Sequence, residues 1–380
     1  MAPALRSTSM LGMLIVSSIA LAQQLPPSGP PKVLGPTVQT TDPRKVLPSG
    51  PAPKWGPDID PQMLAIIEEQ QASEPPPNLT LLSPFQLRNV VSVAEAVNKI
   101  LTRTGLPPTP PGVDLAQGVL PVGPTGGLFV RTYTPLTGTA PFPVIVYYHG
   151  GGWVIADPKT YEPSAQALAE KTGAIVVSVA YRLAPENPFP AAHEDAFAAY
   201  KWIVENTSKI GGDPKRIALA GESAGGNLAV AVALLSKQRH VALPVHILSV
   251  YPIADGDTQS SSYDQYADAQ PLSKSLVEYF FNIYMPEPHT REDPLISLVY
   301  ANVSGLPPTT IINAQIDPLA ADGEQLAAHL QQAGVPVVHR TFRGVTHEFF
   351  GMAAILKQAV EAQDFAASRL REAFGQASKP

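Results

Sequence analysis

The stretch Gly221-Glu222-Ser223-Ala224-Gly225 follows a short apolar run, Ile217-Ala218-Leu219-Ala220. It precedes a segment, Gly226 to Lys237, that carries Leu228, Val232 and Leu235 at helical spacing. Strand, tight turn, helix is the setting of the G-x-S-x-G elbow, which lifts a serine above the edge of an α/β sheet. Small neighbours are needed there because the turn forces the serine into a strained backbone region. The serine then heads a helix, where backbone N–H groups favour negative charge. Five-residue patterns also arise by chance, so the competing reading at this point is a plain glycine-rich turn in an α/β protein.

Outward from this stretch, strands alternate with helices. The strand candidates are 116–121, 128–133, 144–148, 174–180, 217–220, 246–251, 309–314 and 337–342. Helices are expected over 159–171, 191–206, 226–237, 319–333 and 348–374. The interior strands are continuous apolar runs such as Ile175-Val176-Val177, as expected when both faces of a sheet are covered. The fold class is therefore α/β, with a mostly parallel eight-stranded sheet flanked by helices. The segment from about 254 to 303 breaks the alternation. It is polar at first and then aromatic, and so long a connection reads as an insertion over the C-terminal edge of the sheet.

The N-terminal third is organised differently. Residues 1–22 read as a secretory signal: Arg6 is followed by an apolar stretch, Met10 to Ala22, and Ala20-Leu21-Ala22 fits a small-x-small cleavage site. That predicts a secreted or periplasmic protein with no stable membrane span, whose mature chain begins at Gln23. Residues 23–57 are rich in Pro, Gly, Ser and Thr and are expected to be a disordered leader. Two helical patterns follow within 58–111. One carries Met63, Leu64, Ile66 and Ile67; the other runs from Phe85 and Leu87 to Ile100 and Leu101. A proline cluster, Pro107 to Pro111, leads into the α/β region, 112–375.

Composition narrows the chemistry. The 380 residues are 44% hydrophobic and 15% charged, enough for a large core. A net charge of −6 without basic runs argues against a nucleic-acid partner. With no cysteine, thiolate metal sites, disulfides and cysteine nucleophiles are excluded. The eight histidines are scattered, with no H-E-x-x-H pair. Neither a metal nor a cofactor is expected.

A serine hydroxyl needs a base within hydrogen-bond reach, and the base needs an orienting acid. In an elbow fold these follow the serine in the order acid, then base, on loops after later strands. Asp317 directly follows the strand 309–314 and precedes Pro318, so it also suits a helix cap. Asp322 is the alternative acid. His347 follows the last strand in Arg343-Gly344-Val345-Thr346-His347-Glu348-Phe349; His339 lies within that strand and His329 in a helix. An oxyanion needs N–H donors, one expected from Ala224 and the others from His149-Gly150-Gly151-Gly152-Trp153 after strand 144–148. His149 reads as a prop of this glycine loop.

Together these residues resemble the hormone-sensitive-lipase-like esterases, family IV of the bacterial lipolytic enzymes. The shared motifs are His149-Gly150-Gly151-Gly152-Trp153, Tyr181-Arg182-Leu183-Ala184-Pro185-Glu186, Gly221-Glu222-Ser223-Ala224-Gly225-Gly226-Asn227, Leu306-Pro307-Pro308, Asp317-Pro318-Leu319 and His347-Glu348-Phe349. They occur in the family's order across about residues 58–375. The resemblance implies an α/β-hydrolase fold with a helical cap built from the N-terminal helices and the insertion. It implies Ser223 as nucleophile, Asp317 and His347 as its partners, and the N–H groups of Gly151, Gly152 and Ala224 as oxyanion hole. It implies a small ester of short to medium chain length as substrate; a homodimer is compatible with it and rests on no residue here. Trp153, Phe85, Tyr279, Phe280 and Phe281 are candidates for the substrate pocket, with plain cap core as the alternative. Glu222 departs from the commoner aspartate, and it is expected to support the site from beneath together with His149 and Gly150. A non-catalytic binding protein and an amidase are the other classes this scaffold admits.

Overall fold

In the computed structural model, which describes residues 46–73, 78–106 and 111–376, eight strands make one sheet. They are β1 (Val113–Leu120), β2 (Leu128–Pro135), β3 (Phe142–Tyr148), β4 (Ile175–Val179), β5 (Gly212–Glu222), β6 (Ile247–Val250), β7 (Thr309–Ile316) and β8 (Val337–Thr346). Their order is β1-β2-β4-β3-β5-β6-β7-β8. β2 is antiparallel to β1 and β4, and β3 to β8 run parallel. Alternating side chains feed two cores. Val144, Val146 and Tyr148 enter one, Ile145 and Tyr147 the other. This period of two explains why the central strands are apolar throughout.

The helices are α1 (Pro61–Ser73), α2 (Pro84–Leu87), α3 (Val93–Thr104), α4 (Glu162–Thr172), α5 (Ala191–Asn206), α6 (Ala224–Gln238), α7 (Ser261–Gln265), α8 (Lys274–Tyr284), α9 (Ala320–Gln332) and α10 (Lys357–Ala373). α5, α6 and α9 bury their apolar faces in the first core, α1, α3, α4 and α10 in the second. Asn227 of α6 is a buried tie between layers. Its amide donates to the carbonyls of Ile253 (3.1 Å) and Ile296 (3.0 Å), and its oxygen lies 3.0 Å from His193 Nε2. The insertion is thus fastened to the helix that the elbow starts.

Three expectations need correction. The pattern from Phe85 to Leu101 is two helices, because Ser83 with Gln86 and Ser92 with Glu95 each form a capping box and start a helix of their own. The helix expected over 348–374 begins at Lys357, since Glu348 is left-handed (φ 70°) and a single 3₁₀ turn intervenes. The leader expected to be disordered through residue 57 is packed in its described part, 46–57. Val46 is buried and Trp55 packs on the same core, while Glu68 of α1 accepts the N–H groups of Ser49 (2.5 Å) and Gly50 (3.0 Å). Two apolar anchors and one carboxylate hold a segment of bends and turns, in which the Gly56 N–H donates to the Pro53 carbonyl (3.1 Å). The signal peptide at 1–22, the leader at 23–45 and Pro107–Pro110 lie outside the described residues. Among the described residues no helix is long and apolar enough to cross a membrane.

Candidate active site

β5 ends at Glu222 and α6 begins at Ala224, so Ser223 alone makes the turn. It adopts φ 58°, ψ −122°, is buried, and donates its N–H to the Val250 carbonyl (2.9 Å). The turn is this sharp because β3 passes beneath it. A Cβ on Gly225 would lie 2.0 Å from the Tyr148 carbonyl oxygen. A non-glycine side chain there would push α6 off the sheet.

Asp317 follows β7 and is fully buried. One oxygen accepts the N–H of Leu319 (2.9 Å), so it does cap the turn into α9. The other lies 2.7 Å from His347 Nδ1. Asp322 does not compete for this role: its carboxylate accepts the N–H groups of Ala254 (3.0 Å) and Asp255 (3.1 Å). β8 extends to Thr346 and delivers His347 directly from its end. Burial disfavours charge on this imidazole, but Asp317, Glu348 and Glu222 together outweigh it and hold its pKa above the ordinary value.

Ser223, His347, Gly151 and Gly152 open onto one cavity of about 160 Å³. Its walls are largely apolar, with Leu79, Leu87 and Val90 from the N-terminal segment and Leu272, Leu276 and Phe280 from the insertion. In the glycine loop, the N–H groups of Val154 and Ile155 return to the Gly151 carbonyl (3.0 and 2.9 Å). Gly152 has φ 58°, and a Cβ there would meet the Phe280 ring at 2.4 Å. Ala224 lies buried in the first turn of α6. His149 stacks on Tyr181 (ring centroids 4.2 Å apart, 12° between planes) and its Nδ1 is 2.8 Å from the Gly150 carbonyl. Burial lowers its pKa to about 4, so the ring is neutral and holds the loop.

Of the aromatic pocket candidates, Phe280 lines the cavity and four do not. Phe85 is 75% exposed, because the short α2 turns Leu87 inward instead. Tyr279 donates its hydroxyl to the Leu82 carbonyl (2.5 Å), joining the insertion to the N-terminal segment. Trp153 stacks on Tyr284 at 4.7 Å, and Phe281 packs beside it. These rings are cap and core packing.

A second polar layer lies beneath. The carboxylate of Glu222 accepts the hydroxyls of Tyr147 and Tyr251, and Tyr161 donates to Glu348, which lines the cavity. Glu348, Tyr147, Tyr161 and Tyr251 were given no role by the sequence. Tyr147 and Tyr251 stand beside strand ends next to the motifs, which is the one signal they carried. Burial pushes the Glu222 carboxyl up to about 7 against the lowering effect of the tyrosine hydroxyls.

Residues 145–351 match the family model described as the alpha/beta hydrolase fold. The chain belongs to the α/β-hydrolase fold family. It is 39% identical over 249 residues to a carboxylesterase of Mycobacterium tuberculosis, covering 64% of this chain and 78% of that protein. It is 36% identical over 240 residues to an ethyl acetate hydrolase of Pseudomonas putida, covering 61% and 74%. The structure of an esterase from Pyrobaculum calidifontis matches with a TM-score of 0.73 at 32% identity, covering 84% of this chain and 100% of that one. Within the α/β hydrolases the chain groups with the hormone-sensitive-lipase-like carboxylesterases, and carboxylic ester hydrolysis is its activity class.

The raised Glu222 carboxyl has a consequence for stability. Its protonated form favours folding, so its contribution is full below the unfolded value of 4.5 and is lost as pH rises through about 7. Glu222→Gln cannot ionise. Between pH 4.5 and 7 it should gain on the wild type by up to about 3 kcal/mol. Denaturant unfolding of both proteins across that range checks this, and parallel pH curves would contradict it.

Proposed function

We propose that this hydrolase cleaves short- to medium-chain carboxylic esters through an acyl-enzyme on Ser223. The observation that carries the reading is the buried 2.7 Å hydrogen bond between Asp317 and His347, beside a cavity that Ser223 also faces. With Nδ1 held by Asp317, Nε2 is the nitrogen left for the serine. It takes the hydroxyl proton as Oγ attacks the ester carbonyl. The raised imidazole pKa makes it a stronger base, and the imidazolium that forms is balanced by Asp317. The N–H groups of Gly151, Gly152 and Ala224 receive the negative charge on the carbonyl oxygen. The tetrahedral species collapses, His347 Nε2 gives its proton to the alcohol, and the alcohol leaves. Water then attacks the acyl-enzyme with His347 again as base, which frees the acid and restores Ser223.

The apolar walls suit the acyl chain, and the small volume, about 160 Å³, favours short to medium lengths. The relative named an ethyl acetate hydrolase points the same way. Nitrophenyl esters from C2 to C16 test this. The rate should peak among the short and medium chains, and Ser223→Ala should lose at least about 1,000-fold in kcat. A rate still climbing at C16, or equal rates for the two proteins, would refute it.

The reading extends to location, on the signal-like character of residues 1–22. Expressed in its own host, the protein should be found outside the cytoplasm with Gln23 at its N-terminus. Intact mass of the full-length chain in the cytoplasmic fraction alone would contradict this.

A further inference from the structure

Five residues at or beside the site that are not glycine have positive φ: Trp153 (60°) and Ala156 (66°), in and just after the glycine loop, and Ser223 (58°), Tyr251 (34°) and Glu348 (70°). Such conformations each cost about 1–3 kcal/mol and persist only where the surroundings over-determine them. Ser223 is the proposed nucleophile and Glu348 adjoins the proposed base. Tyr251 has no part in the mechanism above.

Tyr251 directly follows β6 and is buried. Its N–H donates to the Ile312 carbonyl of β7 (2.5 Å). Its ring lies 4.5 Å from the His347 imidazole, centroid to centroid, at 50° between planes. On another side it meets Phe349 at 5.9 Å. Its hydroxyl donates to one oxygen of Glu222, and Tyr147 donates to the other. The ring is thus fixed at both ends, by the sheet through its backbone and by Glu222 through its hydroxyl. Glu222 is itself covalently joined to Ser223.

We propose that Glu222 is a positioning residue for His347: its carboxylate fixes the Tyr251 ring, and that ring sets the tilt of the imidazole between Asp317 and Ser223. The proposal rests on the acyl-enzyme reading. It explains why a buried carboxyl, which burial alone disfavours, stands one residue before the nucleophile with both oxygens bound by phenols. It also gives the strain at Tyr251 a use, because a relaxed backbone would carry the ring away from the imidazole.

Tyr147 supplies the control. It gives the same carboxylate the same kind of bond, while the ring contact with the imidazole is Tyr251's. Tyr251→Phe, Tyr147→Phe and Ser223→Ala are compared with wild type on a short-chain nitrophenyl ester, with kcat, KM and Tm measured separately. Tyr251→Phe should lose about tenfold in kcat with KM within about twofold, since misplacing a catalytic group acts on the chemical step. Tyr147→Phe should lose comparable Tm yet keep kcat within about twofold. Should Tyr251→Phe fail to fold, Glu222→Asp is the second variant, its shorter carboxylate releasing the ring, with the same kcat loss expected. A wild-type kcat in the releasing variant, or equal kcat losses in both tyrosine variants, would overturn the positioning role. If Ser223→Ala is inactive at the same time, only that role falls. An active Ser223→Ala would remove the acyl-enzyme reading as well.

Discussion

β3 and α6 approach so closely that a single methyl group on Gly225 would sit 2.0 Å from the Tyr148 carbonyl oxygen. Much else depends on that contact. It makes the turn after β5 one residue long, and that residue, Ser223, is driven to φ 58°. It also brings the end of β3, and so the glycine loop that follows it, alongside the elbow. The neighbouring parallel strands β6, β7 and β8 then end near the same edge, with Tyr251, Asp317 and His347 just beyond. The site is a product of strand ends brought into line by one steric limit.

The polar groups gathered there are held at a cost. Glu222 and Glu348 are both pushed toward the neutral form by burial, while His347 is drawn toward the charged form by its acidic neighbours. Phenol hydroxyls from Tyr147, Tyr251 and Tyr161 offset the desolvation by donating to the two carboxyls. A low-dielectric setting strengthens each of these bonds and makes each hard to remove. The largely apolar cavity above is walled by two segments far apart in sequence.

The sheet was legible because its signal is strong and local. Continuous Val/Ile runs such as Ile175-Val176-Val177 leave little choice of element, and α5 has its expected bounds, Ala191–Asn206. The Asp317–His347 contact was legible for another reason: each residue directly follows a strand, and strand order fixes where loops meet. What failed was orientation. Nothing in the spacing of Phe85 and Leu87 says which one faces inward once a capping box at Ser83 shortens the helix. Trp153 and Phe281 are packed by partners such as Tyr284 that only the tertiary fold supplies. Glu348 at φ 70° broke a helix that its sequence supports, since the turn is set by what the chain must deliver at His347. Glu222 was visible as an oddity, but its tyrosine partners lie 75 and 29 residues away.

The central claim is that Ser223 is the residue which becomes covalently bonded to substrate. Reaction with a nitrophenyl diethyl phosphate, which stops at the phosphorylated serine, tests it directly. The account predicts that one equivalent adds per chain, that peptide mapping places it on Ser223, and that esterase activity falls in step with labelling. A label on any other residue, or full loss of activity with Ser223 unmodified, would contradict it.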